Sequence, residues 1–188
     1  MLSQDDLSRN TQKSLLSRAW RYNPALYARA FVVSSFGKTY HVTGWKTGYC
    51  VAPPALTMEL RRIHQYVNFV ANTPIQYALA DYMAIAPEHA TSLGDFYQSK
   101  RDLFLDRLAD SRFRWVPSAG TYFQLLDYSG VSNEQDVELA RRLTIEHGLA
   151  SIPISVFYRD APELKLLRFC FAKDDATLER ATEILCRL

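Results

Sequence analysis

The sequence predicts an α/β fold with a more helical first half and an α+β second half. Three observations carry that prediction. Short β-branched and aromatic runs (Phe31-Val32-Val33, Thr121 to Leu126, Lys165 to Phe171) stop after a few residues, as strands do. Apolar residues at helical spacing lie between them, for example Leu56, Leu60, Ile63 and Val67. Near residue 110 consecutive helices give way to elements in the order β-α-β-β-α, the pattern of a compact α+β unit.

Composition narrows the class further. The 188 residues are enough for one domain or one and a part. With 48% apolar and 22% charged residues, the chain has the make-up of a globular protein. A formal charge of +2 gives no argument for nucleic acid or a membrane surface as partner. Cys50, Cys170 and Cys186 are scattered without CxxC spacing, which favours reduced thiols in the cytoplasm over a disulfide framework or a zinc site. His41, His64, His89 and His147 show no metal-ligand spacing either, so no metal is expected. No run approaches the ~18 apolar residues of a membrane span. The N-terminus lacks a signal-peptide core, and Asp5 and Asp6 argue against a transit peptide.

Residues 1–23 are polar apart from Leu15-Leu16 and Trp20, and are expected to form a weak helix or a disordered leader. Pro24 opens a helical turn, and Phe31-Val32-Val33 suits a strand covered on both faces. Tyr49 to Ala52 is a second strand, stopped by Pro53-Pro54. The helix after it carries Leu56, Leu60, Ile63, Val67 and Val70 on one face. Thr73-Pro74-Ile75-Gln76 starts the next helix, with threonine as cap and glutamine completing a capping box. That helix ends near Pro87, and another runs to about residue 110 with Phe96, Leu103, Phe104 and Leu108 inward. Phe113 to Val116 and Thr121 to Leu126 are strands around Pro117-Ser118-Ala119-Gly120. Ser132 caps a helix from Asn133 to His147, which Gly148 ends. Strands follow at Leu149 to Ile154 and Lys165 to Phe171, then a helix from Asp174 with Leu178, Ala181, Leu185 and Leu188 on one face. The division expected is a leader over 1–23, a larger domain's end over 24–92 and a small α+β domain over 93–188.

Two cationic positions stand out. Ser35-Phe36-Gly37-Lys38-Thr39 follows the first strand, with Gly44, Lys46 and Gly48 close behind. Gly-Lys-Thr after a strand is also the end of a nucleotide-binding P-loop, but that motif needs a glycine where Val32 stands and a helix where His41-Val42-Thr43-Gly44 follows. Lys38 is therefore either a solvated loop lysine or an active amine beside a phosphate site made by Ser35 and Lys46. An ordinary lysine, with a pKa of about 10.4, must lose its proton to act as a nucleophile, and burial or a nearby cation helps it do so. Arg168 interrupts the strand Leu166 to Phe171, and a buried guanidinium needs an anion. Glu163 or Asp160 would make that partner structural. Tyr40 either lines a pocket or packs, and Tyr122 and Phe123 read as core. His147, in a last helical turn, suits the helix dipole.

The run from Ser34 to Tyr49 resembles the lysine signature of the class I aminotransferases, pyridoxal-phosphate enzymes of fold type I. Its nearest likeness is to the bacterial methionine aminotransferases and the kynurenine aminotransferases. The resemblance continues through His64-Gln65-Tyr66, Asn72-Thr73-Pro74, Gly120 to Phe123 and Leu167 to Ala172. It implies that Lys38 carries pyridoxal 5'-phosphate, that Ser35 and Lys46 hold the phosphate and that Arg168 grips the substrate carboxylate. Phe69 falls where relatives place residues near the partner subunit's site. Where the family often has arginine, Lys46 keeps the charge but loses the fork.

The implied substrates are an amino acid, methionine or an aromatic one, and a 2-oxo acid. The implied assembly is a homodimer. Because the resemblance begins just before the first strand, the chain is expected to lack roughly the first half of a family member. That half holds the aspartate at the pyridine nitrogen and the glycine-containing phosphate loop. Two alternatives follow: a C-terminal part that works with a separate N-terminal half, or a catalytically silent module that binds partners.

Overall fold

The computed structural model describes residues 24–188 and starts with α1 (Pro24–Tyr27), where proline supplies a preset helical φ. The leader expected over 1–23 lies outside the described residues. Two units divide the chain after Leu93.

In the first unit, β1 (Val32–Ser35) pairs antiparallel with β2 (Gly48–Val51), in the register Val32 to Val51 and Ser35 to Gly48. Between them run α2 (Phe36–Thr39) and a 3-10 turn, Thr43–Trp45. Pro53 and Pro54 stop β2 and open α3 (Pro54–Val67), and α4 (Thr73–Ile85) follows. The cap of α4 is Asn72, whose Oδ1 accepts from the Ile75 amide at 3.3 Å. Thr73 lies inside the helix, and Gln76 turns its amide to the Ala71 carbonyl, so the expected threonine capping box does not form. Asparagine one residue earlier meets the same free amides, and the two caps look alike in sequence.

The burial expected of this unit is only partly seen. Val33 is 75% exposed, so β1 is not covered on both faces. On α3, Ile63 and Val67 are likewise exposed, as is Val70 beyond its end. Among the described residues of this unit, Phe36, Ala52 and Leu79 are the buried apolar side chains.

The second unit has a continuous core. Most of α5 (His89–Arg107) belongs to it, followed by β3 (Phe123–Asp127), α6 (Asp136–His147), β4 (Ile152–Pro153), β5 (Leu166–Cys170) and α7 (Asp175–Arg187). Central strand β5 pairs antiparallel with both neighbours, in the order β3-β5-β4. Leu126, Leu167 and Phe169 face Leu139 and Leu143 of α6, Leu178 and Leu185 of α7, and Phe104 and Leu108 from α5 and just after it.

Several expectations shift here. Phe113 to Val116 forms one bridge, Arg114 to Asp127, and no strand, because Phe113 turns into the core and Pro117 has no amide to extend a ladder. Phe96 is exposed rather than inward. The cap of α6 is Gln135, while the Ser132 hydroxyl donates to Glu134. The Leu149 to Ile154 strand shrinks to Ile152–Pro153. Gly148, in the left-handed region at φ 64, ends α6, and Asp174 Oδ1 caps α7 by accepting from the Thr177 amide at 2.7 Å.

Candidate active site

Ser35 closes β1 in extended geometry, and its hydroxyl oxygen accepts from the Gly37 amide at 3.0 Å. The Gly37 carbonyl accepts from Thr43 Oγ1 at 3.2 Å, and the Phe36 amide donates to the Thr47 carbonyl at 3.1 Å. These bonds fold the lysine turn against the β1–β2 pair. Glycine is needed at two points. A Cβ on Gly37 would stand 3.1 Å from both Ser35 Oγ and Thr43 Cα, and one on Gly48 would stand 2.5 Å from the Ser34 carbonyl oxygen.

Lys38 sits in α2 and is exposed, so the burial expected of it is not supplied by the described residues. Lys46, also exposed, ends the Thr43–Trp45 turn in left-handed geometry (φ 52, ψ 35). That conformation is uncommon outside glycine, asparagine and aspartate. It lies two positions before Gly48, the strand partner of Ser35, so Ser35 closes β1 while Lys38 and Lys46 both lie in the connection from β1 to β2. Tyr40 packs with its ring stacked on His89, centroids 5.3 Å apart, and edge-on to Tyr82 at 5.8 Å. Burial first, then Tyr49 and Tyr82, push the Tyr40 hydroxyl above the usual tyrosine pKa. Phe69 lies elsewhere in this unit, between α3 and α4 at φ 60. It is 81% exposed and lines a cavity of ≈ 700 Å³ with Arg61, His64, Gln65, Val70 and Tyr77. None of Ser35, Lys38, Tyr40 or Lys46 lines that cavity.

Arg168 belongs to the second unit, at the centre of β5 between Leu125 and Ile152. Alternation puts Leu167 and Phe169 in the core and Arg168 on the opposite face. The strand is thus buried on one face only. Glu163 pairs with Lys165, and among the described residues Arg168 makes no ion pair. Its Cζ instead lies 4.1 Å from the Phe123 ring centroid and 5.2 Å from that of Phe157. Its Nε is buried without a hydrogen-bond partner. An orphaned charged donor between aromatic faces is a place for an anion.

Sequence reasoning missed the residues that hold these cations. Phe123, read as core, faces Arg168, a role that the strand register alone would have revealed. Phe157 comes from a 3-10 turn, Ser155–Phe157, which Asp136 pins. The Asp136 carboxylate accepts from the Ser155 amide at 2.7 Å and from the Ser155 hydroxyl at 2.6 Å. Burial alone would raise the Asp136 pKa, but these bonds outweigh it and hold the carboxyl below its ordinary value. His89, which supports the lysine turn, carries no sequence signal of that role.

The family described as aminotransferase class I and II matches residues 9–185, reaching into the stretch before residue 24. The chain is 54% identical over 166 residues to methionine aminotransferase of Escherichia coli, covering 88% of this chain and 43% of that protein. It is 34% identical over 187 residues to kynurenine–oxoglutarate transaminase of Dictyostelium discoideum, covering 88% and 43%. Among solved structures it matches Escherichia coli YbdL, for which a methionine aminotransferase function is described, with a TM-score of 0.83, 54% identity and coverage of 88% and 44%. N-succinyldiaminopimelate aminotransferase of Mycobacterium tuberculosis matches with a TM-score of 0.77, 30% identity and coverage of 87% and 43%. The chain therefore spans less than half the length of these relatives. Class I and II family members use pyridoxal phosphate. With an α/β structure that matches the C-terminal part of fold-type-I aminotransferases, the chain belongs to the class I and II aminotransferase family.

Proposed function

We propose that this chain supplies the cofactor-bearing lysine and the substrate-carboxylate arginine of an aminotransferase that moves an amino group from an L-amino acid to a 2-oxo acid. The observation that carries the reading is the tightly pinned turn presenting Ser35, Lys38 and Lys46. The residues present fit pyridoxal phosphate. The oxygen of Ser35 accepts from Gly37, which leaves its own proton to donate, and Lys46 adds a positive charge for a phosphate. When bound, the cofactor supplies the electron sink that lets an amino acid lose its α-proton. Lys38 Nζ is the attachment point and then carries the proton away from and back to carbon as base and acid. Arg168, with its buried Nε unpartnered, binds the substrate carboxylate through the planar fork, and Phe123 and Phe157 hold that fork in place.

Methionine or an aromatic amino acid is the donor favoured by the relatives' names. The exposed Ile63, Tyr66, Val67, Phe69 and Val70 support association with further protein, either the remainder of a full-length enzyme or a second copy as a homodimer. Free cysteines, and the absence among the described residues of a helix long and apolar enough to cross a membrane, fit a cytoplasmic enzyme.

Amino transfer from L-methionine to a 2-oxo acid tests the proposal. It should be measured with and without a polypeptide matching the preceding part of the relatives, and with Lys38→Ala as control. Transfer that depends on pyridoxal phosphate and Lys38 supports it. The same exposed apolar residues favour a second reading, a silent interaction module. Absence of transfer in either mixture would leave that reading.

A further inference from the structure

We infer that His89 is a positioning residue for the lysine turn, holding it through the carbonyl next to Lys38. This rests on the reading of Lys38 as the cofactor-bearing amine. Most bonds that shape the turn are local, from Ser35, Thr43 and Thr47. One comes from far along the chain: His89 Nε2 lies 2.7 Å from the Thr39 carbonyl oxygen, fifty positions away.

A carbonyl only accepts, so Nε2 must carry the hydrogen. In the neutral ring Nδ1 is then an acceptor, and the Tyr82 hydroxyl stands 3.3 Å from it as donor. The Thr39 carbonyl therefore selects the tautomer, and the Tyr82 hydroxyl, which can donate or accept, donates to the Nδ1 left without hydrogen. The ring itself is fixed on three sides. Tyr40 stacks on it, while His41 and Tyr82 meet it edge-on, at centroid distances of 5.5 and 5.4 Å. All of these groups belong to the first unit. The arrangement ties the C-terminal end of α2, and with it the backbone of Lys38, to the start of α5. An amine that must meet one carbon atom of a bound aldehyde loses rate steeply when its backbone wanders.

Two substitutions separate this role from simple packing. Phenylalanine keeps an aromatic ring against Tyr40 but has no donor, whereas glutamine loses the ring and keeps an N–H for the Thr39 carbonyl. The full chain is incubated with pyridoxal phosphate and reduced with borohydride. The lysine amine and the cofactor aldehyde condense with loss of water, and hydride reduces the C=N bond to a stable secondary amine. Peptide mass then gives the rate of labelling at Lys38. His89→Phe should slow it about tenfold, and His89→Gln should restore it to within about twofold of the parent. Tyr82→Phe should fall between them, because it removes the donor to Nδ1 and with it one hold on the ring, while the Nε2 bond to Thr39 remains. In the unmodified chain without cofactor, nitrogen-15 shifts of the neutral His89 ring should show hydrogen on Nε2.

If phenylalanine labels as fast as glutamine or faster, or if the hydrogen resides on Nδ1, the inference is overturned while Lys38 labelling of the parent still stands. If the parent does not label at Lys38, the cofactor reading falls and this inference falls with it.

Discussion

The two units of the chain divide labour unevenly. The second has a continuous apolar core in which Leu108, Leu126, Leu139, Leu143 and Leu167 are wholly buried. The first carries the lysine turn on a two-stranded ribbon, with Phe36, Ala52 and Leu79 as its buried apolar side chains among the described residues. A two-stranded ribbon is marginal by itself, so the turn owes its shape to specific hydrogen bonds and close glycine contacts more than to area buried. The lysine turn and the larger apolar core thus lie in different units of the chain. Substitutions should follow that separation.

The largest contrast is between cores. Leu139→Ala should cost the second unit about 2–5 kcal/mol, the usual range for a fully buried leucine, whereas Ile63→Ala, at an exposed site, should change stability by less than about 0.5 kcal/mol. Urea unfolding followed by Trp115 fluorescence for the second unit and by Trp45 fluorescence for the first, each with the other two tryptophans replaced by Phe, checks both. Equal effects would erase the contrast.

Gly48→Ala comes next. Its Cβ would meet the Ser34 carbonyl oxygen at 2.5 Å, a backbone atom that cannot swing away, so the β1–β2 pair must part at a cost of about 1–3 kcal/mol. Amide hydrogen exchange should rise around Ser35 and Thr47 and remain unchanged in β5.

The smallest of the three effects sharpens the contrast from the other side. Asp136→Asn should cost the second unit about 1–2 kcal/mol at neutral pH, because an amide cannot accept both Ser155 bonds as the carboxylate does. The carboxyl has a lowered pKa in the folded chain, so its contribution is present above the ordinary aspartate value. That contribution disappears as pH falls through the lower folded value. The parent and variant stabilities should therefore converge in acid. Since Ser155 leads to Phe157 and so to Arg168, the same change should weaken binding of a substrate carboxylate.

Much of the fold is legible in the sequence because it depends on neighbours in the chain. Pro53-Pro54 ends β2, Gly148 ends α6 and Asp174 caps α7 through purely local geometry. The lysine turn is legible for the same reason, since Ser35, Gly37, Lys38 and Lys46 lie within a few residues of one another. What depends on distant contacts is not. Apolar spacing on α3 names a face but cannot say whether anything covers it, and Ile63 and Val67 are exposed. The same limit hides Phe123 and Phe157 around Arg168, which only the strand register and the Asp136–Ser155 bonds bring together. Asn72 and Thr73 are equally good caps on paper, and the choice between them is made by where the chain enters α4.

The central claim is that the turn after β1 presents one lysine for a cofactor aldehyde. Borohydride reduction of the unmodified chain with pyridoxal phosphate, followed by peptide mapping, tests it most directly. The account predicts the label on Lys38 in preference to every other lysine, Lys46 included. A label spread evenly over the lysines, or centred away from Lys38, would contradict it.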